Sequence, residues 1–488
     1  MNNIIGVDLG TTHCKIIVVD RSNKVVFSAK KTCRSFAGDD GMHEQDAEDI
    51  CAMVLDLLKQ AFAHTPATEV SCVCFSAAMH SLLAVDDAGR PTMHALTWAD
   101  TRAAKYAKQI KESGRAEEIY NNTGTPIHAM SPLCKLLWLK SEKPQVFNAA
   151  KKFISVKEYI FHKLFGKYVI DYSIASATGL FNIHTKQWND ASLQLAGITV
   201  NQLSQPCEVE HAENEMLPAM KQAIGITANV AFVLGCSDGA AAQLGSGTLL
   251  PNEACVTIGT SGAVRTFAQQ AVMHPQQKTF VYAFLQNLYL VGGATNNGGN
   301  VVQWFPKIFA QDVKGDDGLN AIVKMAEKST PGAKGLLFVP YLHGERSPVW
   351  NAEATAQLTG LKSMHTPNDI ARAVIEGVLL NIWAMFNTLP GKESKDTIYA
   401  NGGFFANPFM AQSLADISGK KVLLQEDADS SAMGAVYVGM LACGWLKDVL
   451  DVKKFILSDT IFLPREKEYN TYKEVFGKFV IAAGAGDL

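Results

Sequence analysis

The sequence predicts an α/β protein built from two domains. The chain has 488 residues, which is more than a single hydrophobic core usually serves. Runs of β-branched residues alternate with amphipathic helical segments, which is the pattern of an α/β fold. The strand-and-turn pattern of the N-terminus begins again near residue 250, after the glycine- and proline-bearing stretch "GSGTLLPNE". We therefore expect two domains of similar design, residues 1–247 and residues 248–488.

The first elements follow from residue type and spacing. Residues 4–34 predict a three-stranded meander, because runs of β-branched residues are separated by polar turns. Residues 46–63 predict a helix whose N-terminus Asp46 caps. The apolar run "VSCVCF" (70–75) predicts a buried strand after it. One face of the helix carries Ile50, Val54, Leu57, Leu58 and Ala61.

The second half of the chain repeats this arrangement. "EACVTIGTSGAVRTF" (253–267) predicts a strand, a glycine-bearing tip and a second strand. "TIYANGGFFANPFMAQSLADISGKKVLL" (397–424) predicts a strand, a glycine turn, a helix and another strand. Each half thus places a short glycine turn at the end of a buried strand, which favours a duplicated fold.

Composition and charge exclude several classes of protein. Hydrophobic residues make up 48% and charged residues 19% of the chain, and the net charge is −3 without a long basic run. This balance argues against a nucleic-acid or membrane-surface partner. The start lacks a signal peptide and no apolar stretch reaches the roughly 18 residues of a membrane span. Ten scattered cysteines without a Cys-x-x-Cys pair predict reduced thiols and a cytoplasmic location.

Two glycine turns are candidate anion sites. The chain has neither a P-loop nor a G-x-G-x-x-G fingerprint. The tips around Thr11–Thr12 and Gly259–Thr260 instead offer backbone N–H groups and hydroxyls without an obstructing side chain. Either tip alone would be an ordinary hairpin turn. The presence of one in each predicted domain favours a polyphosphate held between the domains.

Two aspartates are candidates for charge and proton chemistry. Asp8 precedes the first tip, where a carboxylate would repel phosphate unless a cation intervened, so we expect it to serve Mg²⁺. Asp238, in "GCSDGA", precedes a helix of small residues and is a candidate general base and a second metal ligand. The alternatives are a turn-forming aspartate for Asp8 and a helix N-cap for Asp238.

The segment 76–103, "SAAMHSLLAVDDAGRPTMHALTWADTRA", concentrates side chains that bind polyols. An indole can lie against C–H groups while carboxylate and guanidinium groups bind vicinal hydroxyls. Each of these side chains also has an ordinary structural explanation, in the core or in a surface ion pair. The candidates in this segment are His80, Trp98, Asp100 and Arg102.

An ordered set of motifs over nearly the whole chain resembles the FGGY carbohydrate kinases of the actin-like ATPase superfamily. The motifs are "GVDLGTT", "MHS", "TWADTR", "SPLCKLLWL", "GCSDGA", "IGTSG", "GGNVVQW", "PYLHGERSPVW" and "NGGFFANP". The resemblance implies two ribonuclease-H-like domains with an active-site cleft between them. It further implies ATP and Mg²⁺ as cofactors, a small sugar or sugar acid as substrate, and a homodimer as one expected state.

The resemblance also implies roles for individual residues. Asp238 is the expected catalytic base, and Asp8 serves the metal with it. His80, Trp98, Asp100 and Arg102 match the sugar pocket. The residues that match nucleotide-binding positions are Thr11, Thr12, Lys15, Gly259, Thr260, Gly299, Gln303, Gly402, Gly403 and Asn407.

Within this family, segments 76–86 and 155–183 resemble the gluconate kinases more than the xylulose kinases. The resemblance implies phosphorylation of D-gluconate at O6, with a pentulose such as xylulose as the alternative. An acid sugar needs a cation at its carboxylate, and Lys157 and Arg102 are candidates. Lys157 could instead pair with Glu158. A chaperone-type or filament-forming ATPase and a non-catalytic sugar sensor are the rival classes.

Overall fold

The computed structural model describes residues 2–285, 287–309, 317–425, 429–456 and 460–486, which form two large mixed sheets, five small sheets and surrounding helices. The strands of the first half are β1 (Asn3–Leu9), β2 (His13–Asp20), β3 (Val25–Thr32), β4 (Phe36–Ala37), β5 (His43–Gln45), β6 (Val70–Ala77), β7 (Leu83–Val85), β8 (Ala95–Leu96), β9 (Lys152–Ile154), β10 (Val169–Asp171), β11 (Phe181–Asn182), β12 (Gln187–Trp188), β13 (Gln205–Cys207), β14 (Ala212–Glu213) and β15 (Ala231–Ser237). Its helices are α1 (Ala47–His64), α2 (Ala104–Glu112), α3 (Ala116–Thr123), α4 (Pro132–Glu142), α5 (Pro144–Ala149), α6 (Val156–Phe165), α7 (Tyr172–Ser176), α8 (Asp190–Ala196), α9 (Pro218–Ile224) and α10 (Asp238–Gly245).

The second half has the same mixture of strands and helices. Its strands are β16 (Glu253–Ile258), β17 (Gly262–Ala268), β18 (Phe280–Ala283), β19 (Tyr289–Thr295), β20 (Leu337–Val339), β21 (Gln357–Thr359), β22 (Thr397–Asn401), β23 (Lys421–Leu424) and β24 (Thr460–Phe462). Its helices are α11 (Gly299–Phe309), α12 (Asp317–Ala326), α13 (Pro367–Phe386), α14 (Pro408–Ser418), α15 (Ser430–Ala442) and α16 (Glu466–Ala482).

The two main sheets have the same internal topology. In the first sheet, β3-β2-β1 form an antiparallel meander, and β6 and β15 continue it in parallel with β1. In the second, β19-β17-β16 are antiparallel and β22 and β23 run parallel to β16. The predicted α/β class, the meander and the repetition of the pattern are confirmed.

Helix α1 illustrates why the local predictions succeed. The Asp46 side chain accepts hydrogen bonds from the backbone N–H groups of Glu48 and Asp49, so it caps the helix as expected. The predicted apolar residues of α1 are all buried against the first sheet. A periodic apolar face and a side-chain cap are local signals in the sequence, and both features are present in the folded helix.

A helix from the second half packs on the first sheet. Helix α15 lies against β1, β6 and α10, and it belongs to a buried cluster that includes Cys72 and Cys74 of β6. A Cβ atom added at Gly434 of α15 would lie 1.9 Å from the Ala241 carbonyl oxygen of α10. One added at Gly245 of α10 would lie 1.9 Å from the Ser430 carbonyl oxygen. The two helices therefore cross with their backbones in contact.

All ten cysteines are free thiols, and nine of them are buried. Among the described residues, no helix combines the length and the apolar character that a membrane crossing requires.

The helix crossing yields a stability prediction. Gly434→Ala should lower the thermal unfolding midpoint, because overpacking of this kind costs about 1–3 kcal/mol and here the obstacle is rigid backbone. Gly477→Ala is the matched control in α16, where an added Cβ meets no atom within 4 Å. The control should gain up to about 1 kcal/mol from helix propensity. Equal midpoints for both variants would contradict the close crossing.

Candidate active site

The ends of three parallel strands bring two acidic residues together. Asp8 of β1 pairs in register with Ser76 of β6, and Ser237 at the end of β15 pairs with the following residue, Ala77. Parallel strands end at the same edge of a sheet, which is where α/β proteins commonly place ligands. Asp8 and Asp238, the first residue of α10, therefore share this edge.

Asp8 lies in an environment that disfavours its charge. The Ser76 hydroxyl donates a 2.8 Å hydrogen bond to Oδ1 of Asp8. The pKa of Asp8 is raised to about 7, chiefly by burial and also by the neighbouring Asp238, while Ser76 and Lys15 oppose the shift. A cation beside both carboxylates would relieve this penalty.

Asp238 is positioned by the turn that precedes it. Strand β15 shifts register between Val233 and Cys236, and Gly235 at this irregularity has φ +67° and no room for a side chain beneath Phe75. Ser237 is the N-cap of α10, because its hydroxyl accepts the N–H of Ala240 at 3.3 Å. The alternative that Asp238 serves as the N-cap is therefore wrong.

The Asp238 carboxylate is thus available for other contacts. Among the described residues, Oδ1 of Asp238 accepts a hydrogen bond from the Gly239 N–H of its own turn, at 2.7 Å. Burial raises the pKa of Asp238, and Arg265 is the largest opposing charge, followed by Arg346. Both arginines belong to the second half of the chain, so Asp238 lies where the two halves meet.

Lys15 lies beside Asp8 in the β1–β2 ladder. Its ammonium group forms an ion pair with Asp429, the residue before α15. In this structure a carboxylate from the second half thus occupies the position in which the sequence led us to expect a phosphate partner for Lys15.

The first glycine turn lies next to the polyol-binding segment. The indole Nε1 of Trp98 donates to the Thr11 hydroxyl at 3.4 Å, and Gln45 donates to the Thr11 carbonyl at 2.7 Å. Thr12 is exposed at the tip. A small cavity of about 20 Å³ is lined by both the turn and the segment, including Gly10, Thr11, Trp98 and Lys157.

The second glycine turn is part of a cluster of turns. The N–H groups of Gly299 and Asn300 donate to the carbonyls of Gly259 and Thr260 at 2.8 and 3.2 Å, which docks this tip on the N-terminus of α11. The strand pairing places Asn401, just before the Gly402–Gly403 turn, beside Thr257. Gly402 has φ +98°, and an added Cβ would lie 2.4 Å from the Ile258 carbonyl oxygen.

The remaining candidates for nucleotide binding differ in their exposure and in whether their side chains already have hydrogen-bond partners. An added Cβ at Gly259 or Gly403 would meet no atom within 4 Å, so both turns border open space. Gln303 on α11 is exposed. The Asn407 side chain instead accepts the N–H of Phe409 at 3.0 Å and caps α14.

The four polyol candidates separate into two pairs. His80 is buried, its Nδ1 lies 2.7 Å from the Ala177 carbonyl, and burial lowers its pKa to about 3, so the ring is neutral. Lys135 donates to the carbonyls of His80 and Thr97, at 2.6 Å each, and so fixes the backbone around both His80 and Trp98.

Asp100 and Arg102 form the second pair, and they satisfy each other. Asp100 is buried and accepts the N–H of His43 and the guanidinium of Arg102. Arg102 also donates to Glu44 at 2.6 Å and lies 4.4 Å above the Trp138 ring. The small cavity beside Trp98 is not lined by either residue. Arg102 lines a surface groove with Glu44 and Trp138.

Lys157 has a different partner from the one considered in the sequence. It forms a 2.5 Å ion pair with Asp171 and donates to the carbonyls of Leu234 and Cys236. Glu158 instead accepts the N–H of Ser155 and completes the capping box of α6. The Lys157–Glu158 pairing is therefore wrong, because successive helical residues point in different directions.

Several charged groups near Asp238 and Trp98 are not among the site residues predicted from the sequence. The guanidinium of Arg346 lies 5.1 Å above the Trp98 ring, although the two residues are far apart in the chain. Arg346 belongs to "PYLHGERSPVW", a motif that gave no indication of its partner. Arg265 and Lys135 sit in a strand and a helix whose patterns are those of ordinary core elements.

The residues fit a magnesium ion that arrives with a nucleotide. Among the described residues there is no group of three or more His, Cys, Asp and Glu side chains that could hold a metal. Mg²⁺ is commonly bound through one or two carboxylates together with substrate phosphates and water. Asp8 and Asp238 supply such carboxylates, and the penalty on their charges is consistent with a cation site.

Two halves of like topology, each with a glycine turn, and an acidic edge between them are the arrangement expected of a carbohydrate kinase from the sequence motifs. The model of the FGGY carbohydrate kinase N-terminal domain matches residues 3–245, and that of the C-terminal domain matches residues 254–443. The chain belongs to the FGGY family of carbohydrate kinases, and membership in a kinase family implies ATP as co-substrate.

Known relatives cover almost the entire chain. A gluconokinase of Bacillus subtilis (strain 168) is 36% identical, with 97% of this chain and 94% of the relative covered. A solved gluconate kinase from Lactobacillus acidophilus is 31% identical with a TM-score of 0.94, covering 99% of this chain and 98% of that one. A ligand-bound xylulose kinase from the same organism has the same identity, TM-score and coverage.

The raised pKa of Asp8 leads to a prediction about stability. The folded protein keeps the Asp8 proton up to about pH 7, whereas an unfolded chain releases it near 3.8. The contribution of Asp8 to stability therefore falls as pH rises through this window. In metal-free and nucleotide-free buffer, Asp8→Asn should have a higher thermal midpoint than the wild type at pH 8, with the difference shrinking toward pH 4.

Asp87→Asn controls for the loss of one negative charge, because the Asp87 side chain is 88% exposed. Its midpoint should follow that of the wild type across the same pH range. A pH-independent difference between Asp8→Asn and the wild type would show that the pKa of Asp8 is not raised in the folded protein.

Proposed function

We propose that the chain is an ATP-dependent gluconate kinase, which transfers the terminal phosphoryl group of ATP to O6 of D-gluconate. The observation that carries the proposal is the pair of desolvated carboxylates, Asp8 and Asp238, at the junction of the two halves. Both carboxylates would serve the metal, and Asp238 would also accept the proton that a phosphoryl transfer from ATP to a hydroxyl releases.

Gluconate is supported by the names of relatives. The Bacillus subtilis relative, at 36% identity, is a gluconokinase, and a solved structure at 31% is a gluconate kinase. Xylulose is the second candidate, because an equally similar solved structure is a xylulose kinase. Family membership argues for a sugar kinase over a chaperone-type or filament-forming ATPase and over a non-catalytic sensor.

The two domains, residues 1–247 and 248–488, would divide the substrates between them. The first would bind the sugar through His80 and Trp98, with the Asp100–Arg102 pair holding this segment in place. The second would bind ATP, with the adenosine near Gly402–Gly403. The phosphates would lie against Thr11 and Thr12 of one turn and Gly259 and Thr260 of the other.

In the proposed mechanism Asp238 accepts the proton of the O6 hydroxyl while the phosphoryl group moves from ATP to this oxygen. Arg265 and the Gly239 N–H favour the ionised form of Asp238, which a base requires. Mg²⁺ bound with ATP, held by Asp8 and Asp238, would neutralise phosphate charge. Positioning of the two reactants can supply roughly 7–11 kcal/mol of the barrier reduction.

The base role predicts a selective loss of turnover. Asp238→Asn and Asp238→Ala should lower kcat by roughly 100- to 10,000-fold, because general-base catalysis typically contributes that much. The dissociation constant of ATP, measured by calorimetry, should change little. The exposed substitution Asp87→Asn should retain wild-type kcat. Near-normal turnover in either Asp238 variant would remove it from the base role.

The substrate is tested by ADP release over a panel of gluconate, xylulose, ribulose, glycerol and rhamnulose. We expect the highest kcat/KM with gluconate and little ADP release without a sugar. A preference for a neutral ketose would contradict gluconate as the substrate. Strong ATP hydrolysis that no sugar alters would contradict a sugar kinase.

A further inference from the structure

Three buried polar groups around Trp98 and His80 have no hydrogen-bond partner among the described residues. They are Nε of Arg346, the hydroxyl of Tyr282 and Nε2 of His128. Their residues are 8%, 0% and 5% exposed. A buried donor without a partner destabilises the folded protein, and it does so more strongly when it is charged. Such a cost is explained when a ligand completes the bonds.

Arg346 connects these groups to the sugar segment. Its guanidinium lies 5.1 Å above the Trp98 ring, and His80 and Tyr282 have ring centroids 6.2 Å apart. The His128 ring lies 5.8 Å from that of Trp350, and the backbone N–H of Trp350 donates to the Arg346 carbonyl. Burial is the main cause of the lowered pKa of His128, and the charge of Arg346 is the next largest cause.

All three groups can donate a hydrogen bond. Burial lowers the pKa of His128 to about 3, so its ring is neutral. Its Nδ1 accepts the N–H of Met130 at 3.2 Å, which places the single ring hydrogen on Nε2. Arg346 Nε and the Tyr282 hydroxyl are donors by their chemistry. Donors around one permanent cation suit a ligand group that only accepts, and an ionised carboxylate is such a group.

Lys157 and Arg102, the two cations expected from the sequence to meet a substrate carboxylate, already form ion pairs. Lys157 is paired with Asp171, and Arg102 with Asp100 and Glu44. One terminal nitrogen of Arg346 donates a hydrogen bond to the Thr295 carbonyl at 2.9 Å. Arg346 forms no ion pair among the described residues. Its neighbour Glu345 instead accepts the Thr295 hydroxyl at 2.6 Å and the Asn381 amide at 2.9 Å.

The position of Arg346 relative to Asp238 is also compatible with binding a sugar acid between them. Arg346 is close enough to lower the pKa of Asp238, yet Arg265 is the larger influence on that carboxylate. The reacting hydroxyl and the carboxylate of a six-carbon aldonic acid lie at opposite ends of the molecule. A ligand with its hydroxyl at Asp238 could therefore extend along Trp98 toward Arg346.

We propose that Arg346 binds the carboxylate of the sugar-acid substrate, assisted by the hydroxyl of Tyr282 and Nε2–H of His128. This inference rests on the proposed function and assigns the residues that distinguish an aldonic acid from a neutral polyol. The role combines charge with a planar set of donors, which a lysine reproduces only in part.

The test compares gluconate with glucitol, which has a hydroxymethyl group in place of the carboxylate. Calorimetry would give the dissociation constants of both for the wild type, Arg346→Gln, Arg346→Lys and the exposed control Arg90→Gln. We expect Arg346→Gln to weaken gluconate binding roughly 10- to 100-fold and glucitol binding little, because hydrogen bonds to charged groups contribute about 1.5–3 kcal/mol. Arg346→Lys should retain part of the preference.

The variant Tyr282→Phe distinguishes a loss of ligand binding from a loss of folding. Because its hydroxyl has no partner among the described residues, the variant should keep or exceed the wild-type thermal midpoint while binding gluconate more weakly. Equal weakening of both ligands by Arg346→Gln and Arg346→Lys, or unchanged gluconate binding in them, would overturn the proposal. A wild-type preference for xylulose in the panel would instead overturn the proposed substrate.

Discussion

The desolvation of two carboxylates at one sheet edge is the constraint on which the rest of the site depends. Parallel pairing of β1, β6 and β15 fixes Asp8 and Asp238 near each other, and burial disfavours the charge on both. Placing like charges together in a partly buried site destabilises a protein unless a cation or a proton compensates. When Asp8 and Asp238 are both ionised, they require a nearby positive charge. A ligand that binds together with a cation supplies that charge.

The same edge connects the two halves of the chain. Asp238 opens α10, whose backbone touches that of α15 through Gly245 and Gly434. The residue before α15, Asp429, pairs with Lys15 beside Asp8. The helix crossing, the acidic pair and this ion pair therefore share one small region.

The sequence predicted the elements whose signals are local. The apolar period of α1, its cap at Asp46 and the two strand–tip–strand patterns all correspond to the observed elements. It could not predict which ion pairs form between distant segments. Lys157 of α6 pairs with Asp171 of β10, and Arg346 of the second half contacts Trp98 of the first. Such partners depend on tertiary packing, for which residue spacing carries no signal.

The most direct test of this account is the identity of the product, followed by phosphorus NMR. The wild-type protein would be incubated with ATP, Mg²⁺ and an equal mixture of gluconate and xylulose. The account predicts one phosphate monoester signal, that of 6-phosphogluconate, growing in step with ADP and without inorganic phosphate. A xylulose phosphate as the main product, or inorganic phosphate in step with ADP, would contradict it.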